Sequence, residues 1–141
     1  MSNNNKVTVL TLVYNGMPYL KDAIESTLNQ TYNNFDYLII DDVSTDDSVA
    51  CIKSYKDSRI TFIQNEKNLN TSDSFNKALT LIKTEYIVRL DQDDISDVNR
   101  LQKQIDTANA SLERLRKENE EIKRDEREAE EKSKREAEAK A

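Results

Sequence analysis

The stretch that decides the fold is residues 7–16, VTVLTLVYNG, a β-branched apolar run closed by a turn at Asn15 and Gly16. A run of this length and composition is typical of a strand that is buried on both faces of a parallel sheet. Pro18 follows, and proline can open a helix because its missing N–H would have no partner in the first turn. The next apolar side chains recur at helical spacing and predict one buried face: Leu20, Ala23, Ile24, Thr27 and Leu28.

The alternation of strand and helix then repeats. Apolar runs predict further strands at residues 37–40, 59–64 and 86–90. Between the first two of these, residues 44–47 (STDD) have the form of a capping box and predict a helix. A polar loop at residues 65–72 precedes the third helix. Side chains at helical spacing give these two helices their expected buried residues: Val49, Ile52 and Tyr55 in the first, and Phe75, Ala78, Leu79 and Ile82 in the second.

This element order predicts an α/β fold, a mostly parallel sheet with helices on both faces. In such sheets ligands bind beyond the carboxyl ends of the strands. Two acidic clusters, residues 41–42 and 91–94, fall at such ends. Their position is the main functional clue that the residues themselves provide.

Asp91 and Asp93 form an Asp-x-Asp pair. Hard carboxylates on a tight turn suit Mg²⁺ or Mn²⁺, with water and phosphate oxygens as the remaining ligands. The alternative is a solvated acidic loop that caps the next helix, and Asp97 is the expected N-cap of a helix starting near Val98.

The first acidic cluster is equally open to two interpretations. Asp41 or Asp42 could accept a hydrogen bond from a nucleobase N–H, or could cap the following helix. Tyr14, at the end of the first strand, could stack on a base or could be an ordinary turn tyrosine.

Bulk composition excludes some classes of function. Lys and Arg number 21 against 27 Asp and Glu, for a net charge of −6, which argues against a nucleic-acid partner. Histidine is absent and Cys51 is the single cysteine, so no internal disulfide forms, and acid–base chemistry or metal ligation falls to carboxylates or to a partner chain. No apolar run approaches a membrane span, and residues 1–6 lack a signal peptide's apolar stretch. We expect a cytoplasmic protein, with peripheral association at the inner face of the membrane as an alternative.

The end of the chain has a different composition. Residues 107–141 contain no aromatic residue, glycine or proline. A heptad can be written from Leu101, with two sets of seam positions: Leu101, Ala108, Leu115, Ile122 and Ala129 in one, and Ile105, Leu112, Asn119, Glu126 and Ser133 in the other. Three interpretations stay open: a solvated single helix, a short parallel coiled coil, or a fused segment. We predict a continuous helix from about Val98 into the 130s, with at most weak self-association.

The first part of the chain resembles a known family. Residues 7–48 carry a strand, Tyr14-Asn15, a helix closing on residues 30–32 (QTY), and a second strand ending in residues 41–46 (DDVSTD). Residues 65–104 add a loop reading NLN at 68–70 and the segment RLDQDD at 89–94. The order and spacing of these pieces resemble the inverting family 2 glycosyltransferases of the GT-A fold.

The resemblance implies roles for individual residues. Those expected at the nucleotide are Val13, Tyr14, Asp41, Asp42, Asn76 and Asp91. Asp93 would be the main metal ligand, with Asp91 beside it and Arg89 in support. The implied cofactor is Mg²⁺ or Mn²⁺, and the implied donor is a nucleoside-diphosphate sugar, with UDP favoured. The implied reaction is hexosyl transfer with inversion to a saccharide or lipid-linked acceptor, as in polysaccharide biosynthesis.

The chain also departs from the family pattern. Glycine is usual at four positions that here hold other residues: Val43, Asn70, Ala78 and Thr84. No counterpart of the segment with the catalytic base follows Asp106, so the catalytic residue is unknown. We therefore expect a truncated nucleotide-sugar-binding domain at residues 1–106 and a helical tail at 107–141. The alternatives are an interaction protein that associates through its tail, and a nucleotide-binding module without transfer activity.

Overall fold

The computed structural model describes residues 5–141, which divide into two units, residues 5–101 and 102–141. The elements in chain order are β1 (Val7–Val13), α1 (Leu20–Leu28), β2 (Phe35–Asp41), α2 (Ser48–Lys53), β3 (Ile60–Gln64), α3 (Asn70–Leu81), β4 (Tyr86–Arg89) and α4 (Arg100–Ala139). The predicted alternation of strands and helices is confirmed.

The four strands form one sheet in the order β3-β2-β1-β4, and every neighbouring pair is parallel. The two central strands are buried almost throughout, as their continuous apolar runs predict. On one face, a cluster of side chains from the sheet and from α3 forms a core: Leu10, Leu38, Ile40, Ala78 and Ile82. The α/β fold with a parallel sheet and flanking helices is therefore confirmed.

Three predicted helix features differ in the structure. Helix α1 begins at Leu20, two residues after Pro18. The capping box at residues 44–47 is wrong, because α2 has Asp47 at its N-cap with no side-chain capping hydrogen bond, and the Ser44 hydroxyl donates to Asp41 Oδ1 at 2.5 Å. Leu79 is 45% exposed, because α3 turns its small residues Ser74 and Ala78 inward instead.

Helix α3 begins at Asn70, inside the stretch that the sequence indicates as a loop. The cause is a tertiary contact: the carboxylate of Asp42 accepts the backbone N–H groups of Leu69 and Asn70. N–H groups at the start of a helix have no acceptor within the helix itself, so the contact with Asp42 stabilises a helix start at Asn70.

Helix α4 is 40 residues long and starts two residues later than predicted. Asp97 Oδ1 accepts the Asn99 N–H at 2.9 Å, in the turn just before the helix, whereas the Leu101 N–H in the first turn donates to Gln30 Oε1 at 3.0 Å. Leu101, the first seam position, is fully buried within the first unit. In the second unit Leu112, Leu115 and Ile122 are 48%, 52% and 56% exposed. The predicted long helix is confirmed, and self-association stays a prediction. No helix within residues 5–141 is both long and apolar enough to cross a membrane.

Candidate functional site

The carboxyl ends of all four parallel strands lie at one edge of the sheet, and each strand is followed by a polar loop. Side chains from these loops bond across to the neighbouring loop in strand order. The candidate site is this edge, and it contains the acidic clusters that the sequence singles out.

Asp42 accepts the hydrogen bonds that join the loop after β2 to the loop after β3. Its side chain is buried, with the residue only 7% exposed. Oδ1 accepts the Asn65 side-chain amide at 2.9 Å and the Leu69 N–H at 2.7 Å, and Oδ2 accepts the Asn70 N–H at 3.0 Å. A carboxylate can accept about four hydrogen bonds, so Oδ2 retains capacity for one further donor.

Asn65 extends this network into α3. Its side-chain Nδ2 also donates to the Ser74 hydroxyl at 3.0 Å, and its side-chain Oδ1 accepts a hydrogen bond from the Lys77 ammonium at 2.8 Å. Sequence reasoning missed these three residues. The available signal was the place of Asn65 directly after β3, which matches that of Asp42 after β2. Beside it lies an open cavity of about 560 Å³, whose lining includes Asn65, Lys67, Leu69 and Lys77.

The Asp41 side chain bonds within the protein instead of facing the surface of the site. It is fully buried, and its carboxylate accepts both the N–H and the hydroxyl of Ser44. The Val13 side chain is buried too, and the Val13 carbonyl accepts the Asp42 N–H at 2.7 Å. Of the residues expected at the nucleotide, these two lie behind the surface of the site.

The loops after β1 and β2 are joined by reciprocal hydrogen bonds. Asn15 Oδ1 accepts the Thr45 N–H at 2.8 Å, and the Asn15 N–H donates to the Ser44 hydroxyl at 2.9 Å. In the same region Asp46 accepts the N–H groups of Met17 and Ser48. Desolvation is the largest single effect and raises the pKa of the Asp46 carboxyl, but the hydrogen bonds from Ser48 and Met17 together outweigh it and lower the pKa.

The loops after β1 and β4 are joined by one side chain, Gln92. Its Oε1 accepts the Tyr14 N–H at 2.9 Å, and its Nε2 donates to the Tyr14 carbonyl at 3.1 Å. The Tyr14 ring is left free to meet a ligand, since the residue is 51% exposed. Gln92 is a fourth residue that sequence reasoning missed, although it stands between the two aspartates of the Asp-x-Asp pair.

Asp91, Asp93 and Asp94 are exposed on the turn that holds Gln92. Arg89 Nε lies 3.4 Å from Asp91 Oδ1, and both side chains are about half exposed, so this ion pair is weak. Within residues 5–141 no group of three or more acidic or cysteine side chains could hold a metal. Two accessible carboxylates still fit Mg²⁺ or Mn²⁺, since such ions often take one or two carboxylates and complete their shell with water and phosphate.

Asn76, the remaining expected nucleotide residue, is exposed on α3. The structure thus brings Tyr14, Asp42 and the turn at residues 91–94 to one edge of the sheet. It does not place Asp41 or the Val13 side chain on the surface of that edge.

The sequence model of glycosyl transferase family 2 matches residues 8–127, which covers the α/β unit and continues into α4. The chain belongs to glycosyl transferase family 2. It is 38% identical over 108 residues to a putative glycosyltransferase, EpsE, of Bacillus subtilis, covering 74% of this chain and 39% of that protein. It is 37% identical over 99 residues to an Escherichia coli glucosyltransferase, WfaP, covering 70% of this chain and 39% of that protein. The chain thus spans about two-fifths of the length of these relatives.

Solved structures agree on the fold. S. aureus TarS in complex with UDP-GlcNAc superimposes with a TM-score of 0.66 at 24% identity, over 71% of this chain and 30% of that one. The mannosyltransferase PcManGT of Pyrobaculum calidifontis, in complex with GDP-Man and Mn²⁺, gives a TM-score of 0.58 at 22% identity, over 62% and 27% of the two chains. At these identities the comparison establishes a shared fold.

Proposed function

We propose that these 141 residues bind the donor of a glycosyl transfer, a nucleoside-diphosphate sugar with UDP as the favoured nucleotide. The base and ribose lie against the loops after β1 and β2, and the diphosphate lies against the turn after β4. The observation that carries this proposal is the hydrogen-bonded connection of the strand-end loops, which brings Tyr14, Asp42 and the Asp91–Asp93 pair to one edge.

The base half of the site is built from Tyr14 and Asp42. The exposed Tyr14 ring offers a flat apolar face for stacking. Asp42 Oδ2 accepts one N–H from the protein and has capacity for a base N–H as its next donor. Asn76 supplies an amide from α3. Val13 and Asp41 act from behind, because their side chains are buried and hold the strand ends in place.

The diphosphate half of the site is built from Asp91 and Asp93, which hold Mg²⁺ or Mn²⁺ in this proposal. A bound divalent cation offsets the negative charge that develops on the departing diphosphate. Two carboxylates alone bind such a cation weakly, so metal and nucleotide should bind together. The complex of PcManGT with GDP-Man and Mn²⁺ supports this pairing.

We infer the reaction of the complete enzyme from its likeness to the family. A hydroxyl of a saccharide or lipid-linked acceptor attacks the anomeric carbon of the donor, and the configuration inverts as the nucleoside diphosphate leaves. A carboxylate base removes the proton of that hydroxyl. We place this base on the acceptor side of the complete enzyme, and place the enzyme in the cytoplasm at the inner face of the membrane. The E. coli relative, named for transfer from UDP-Glc to a diphosphoundecaprenol-linked sugar, supports a lipid-linked acceptor.

A second candidate function is an interaction protein in which the tail associates and the α/β unit is inactive. The half-exposed side chains of Leu112, Leu115 and Ile122 on α4 favour it. Calorimetric titration with UDP, with and without Mn²⁺, separates the two functions. Donor binding predicts saturable UDP binding that Mn²⁺ strengthens. No binding of UDP in either condition would reject donor binding and leave the tail as the functional part.

A further inference from the structure

Among the hydrogen bonds of residues 5–141, those of the Gln92 side chain are the only ones that join the turn after β4 to the backbone of Tyr14. One amide group satisfies both the N–H and the carbonyl of Tyr14, at 2.9 and 3.1 Å. A two-point contact of this kind fixes orientation as well as distance, because rotation of either loop would break one of the two bonds.

The single glycine of the chain makes room for this contact. A Cβ atom at Gly16 would lie 2.9 Å from Gln92 Oε1 and 3.2 Å from the Leu20 Cβ. Contact at 2.9 Å is closer than real Cβ atoms approach, so any larger residue at position 16 must displace the Gln92 side chain. The φ angle of Gly16 is not positive, so the space for Gln92 is the feature that requires glycine here.

We propose that Gln92 is a positioning residue that holds the metal-binding turn and the nucleotide-facing turn as one rigid unit. The inference rests on the proposed function, since it gives Asp91 and Asp93 to the metal and Tyr14 to the base. Gln92 lies between the two aspartates in sequence and binds the tyrosine backbone in space. Its amide therefore sets the distance between the two halves of the donor site.

The consequence is cooperative binding. A ligand that spans two half-sites gains affinity when the halves are already held at the right separation, because less conformational freedom is lost on binding. UDP together with Mn²⁺ spans both halves, whereas uridine reaches only the base half. Loss of Gln92 should therefore weaken UDP in the presence of Mn²⁺ more than it weakens uridine.

Two variants test the link by different routes. Gln92→Met keeps the length of the side chain and removes both hydrogen-bonding atoms. Gly16→Ala keeps Gln92 and pushes it from its place. Gln104→Met, on the exposed surface of α4, is the matched control for the first change. Unfolding curves establish that each variant is folded.

The first measurement is amide hydrogen exchange without any ligand, which reports the link itself. In both test variants the Tyr14 amide and the amides of residues 91–94 should lose protection together, and Gln104→Met should match the wild type. Unchanged exchange at Tyr14 in Gln92→Met would overturn the proposal whether or not the chain binds nucleotide.

The second measurement is calorimetric titration with uridine, with UDP, and with UDP plus Mn²⁺. We expect Gln92→Met and Gly16→Ala to lose about tenfold in affinity for UDP with Mn²⁺, and clearly less for uridine. Equal losses for the two ligands would overturn the cooperative role and leave donor binding intact. A wild-type chain that binds no UDP would instead reject the proposed function, and the cooperative role with it.

Discussion

The Asp42 carboxylate accepts the backbone N–H of Leu69 at 2.7 Å, which joins the end of β2 to the start of α3. The same carboxylate accepts the Asn70 N–H and the Asn65 side-chain amide. Asp42 is therefore an organising residue of the site as well as its proposed base contact, and the two roles use different acceptor positions.

Asp42→Asn should destabilise the α/β unit by about 2 kcal/mol, because an amide offers one acceptor oxygen in place of two and sets an N–H₂ donor against the backbone N–H groups at the start of α3. Urea unfolding followed by circular dichroism measures the change. Asp47→Asn is the control, since Asp47 is exposed and its side chain makes no capping hydrogen bond to α2. It should cost less than about 0.5 kcal/mol. Equal effects of the two changes would show that the Asp42 hydrogen bonds add nothing to stability.

Val43→Gly should stabilise the protein by about 1 kcal/mol. Val43 has φ +65°, a left-handed conformation that is costly for a β-branched residue and free for glycine. Asn70 has the same φ angle, yet Asn70→Gly should bring no gain. Asparagine tolerates this conformation, and Asn70 Oδ1 accepts the Asp73 N–H at 3.1 Å, a contact that glycine would lose. Unfolding free energies of both variants decide the matter, and a Val43→Gly variant no more stable than the wild type would contradict the assigned strain.

Asp93→Ala should abolish the strengthening of UDP binding by Mn²⁺, because it removes a charged oxygen ligand from a site with few protein ligands. Asp97→Ala is the control on the same loop. It should cost only about 1 kcal/mol of stability, through loss of the cap on the Asn99 N–H, and leave UDP binding unchanged. Calorimetric titration measures binding, and UDP that binds Asp93→Ala in Mn²⁺ as tightly as the wild type would remove Asp93 from the metal site.

Asp57→Asn should make the protein less stable at neutral pH and remove part of its sensitivity to acid. Hydrogen bonds from Arg59, partly offset by desolvation, lower the pKa of the Asp57 carboxyl from its ordinary value of 3.8. The ionised carboxylate therefore stabilises the fold above about pH 4, and this contribution is lost as the pH falls through the lowered native pKa.

Unfolding free energies of the wild type and Asp57→Asn at pH 7 and near pH 2 test this prediction, and their difference should shrink at the lower pH. Glu85→Gln, an exposed carboxylate just before β4, should show little difference at either pH. A gap between wild type and Asp57→Asn that stays constant with pH would exclude the ion pair with Arg59 as its source.

The tail should self-associate weakly at most. Leu101 is buried in the first unit, so the seam of the second unit retains Ile105, Leu112, Leu115 and Ile122 as large apolar residues. That is fewer than three full heptads, near the lower limit for a stable coiled coil. Analytical ultracentrifugation over a wide concentration range is the measurement. A tight dimer that survives Leu112→Asp combined with Leu115→Asp would move the contact away from this seam.

The sequence by itself determined the elements. Continuous apolar runs such as residues 7–13 and 37–40 predicted buried parallel strands, because only a sheet covered on both faces hides every side chain of such a run. Helical periodicity predicted α1 and α3, and the lack of helix-breaking residues after Leu101 predicted α4. The placement of the acidic clusters followed too, since the carboxyl ends of parallel strands share one edge.

Tertiary structure alone decided which polar residues face each other at that edge. Asn65, Gln92 and Ser74 have no periodic signal, and their partners lie up to 78 residues away in the chain, as Gln92 and Tyr14 show. Hydrogen bonds at this edge also account for two differences from the local sequence signals. The Ser44 hydroxyl of the predicted capping box donates to Asp41, and the Asn70 N–H donates to Asp42, so that α3 begins at Asn70. Hydrophobic periodicity reports which face of an element is buried, whereas a hydrogen bond between loops depends on a sheet register that exists only once the chain has folded.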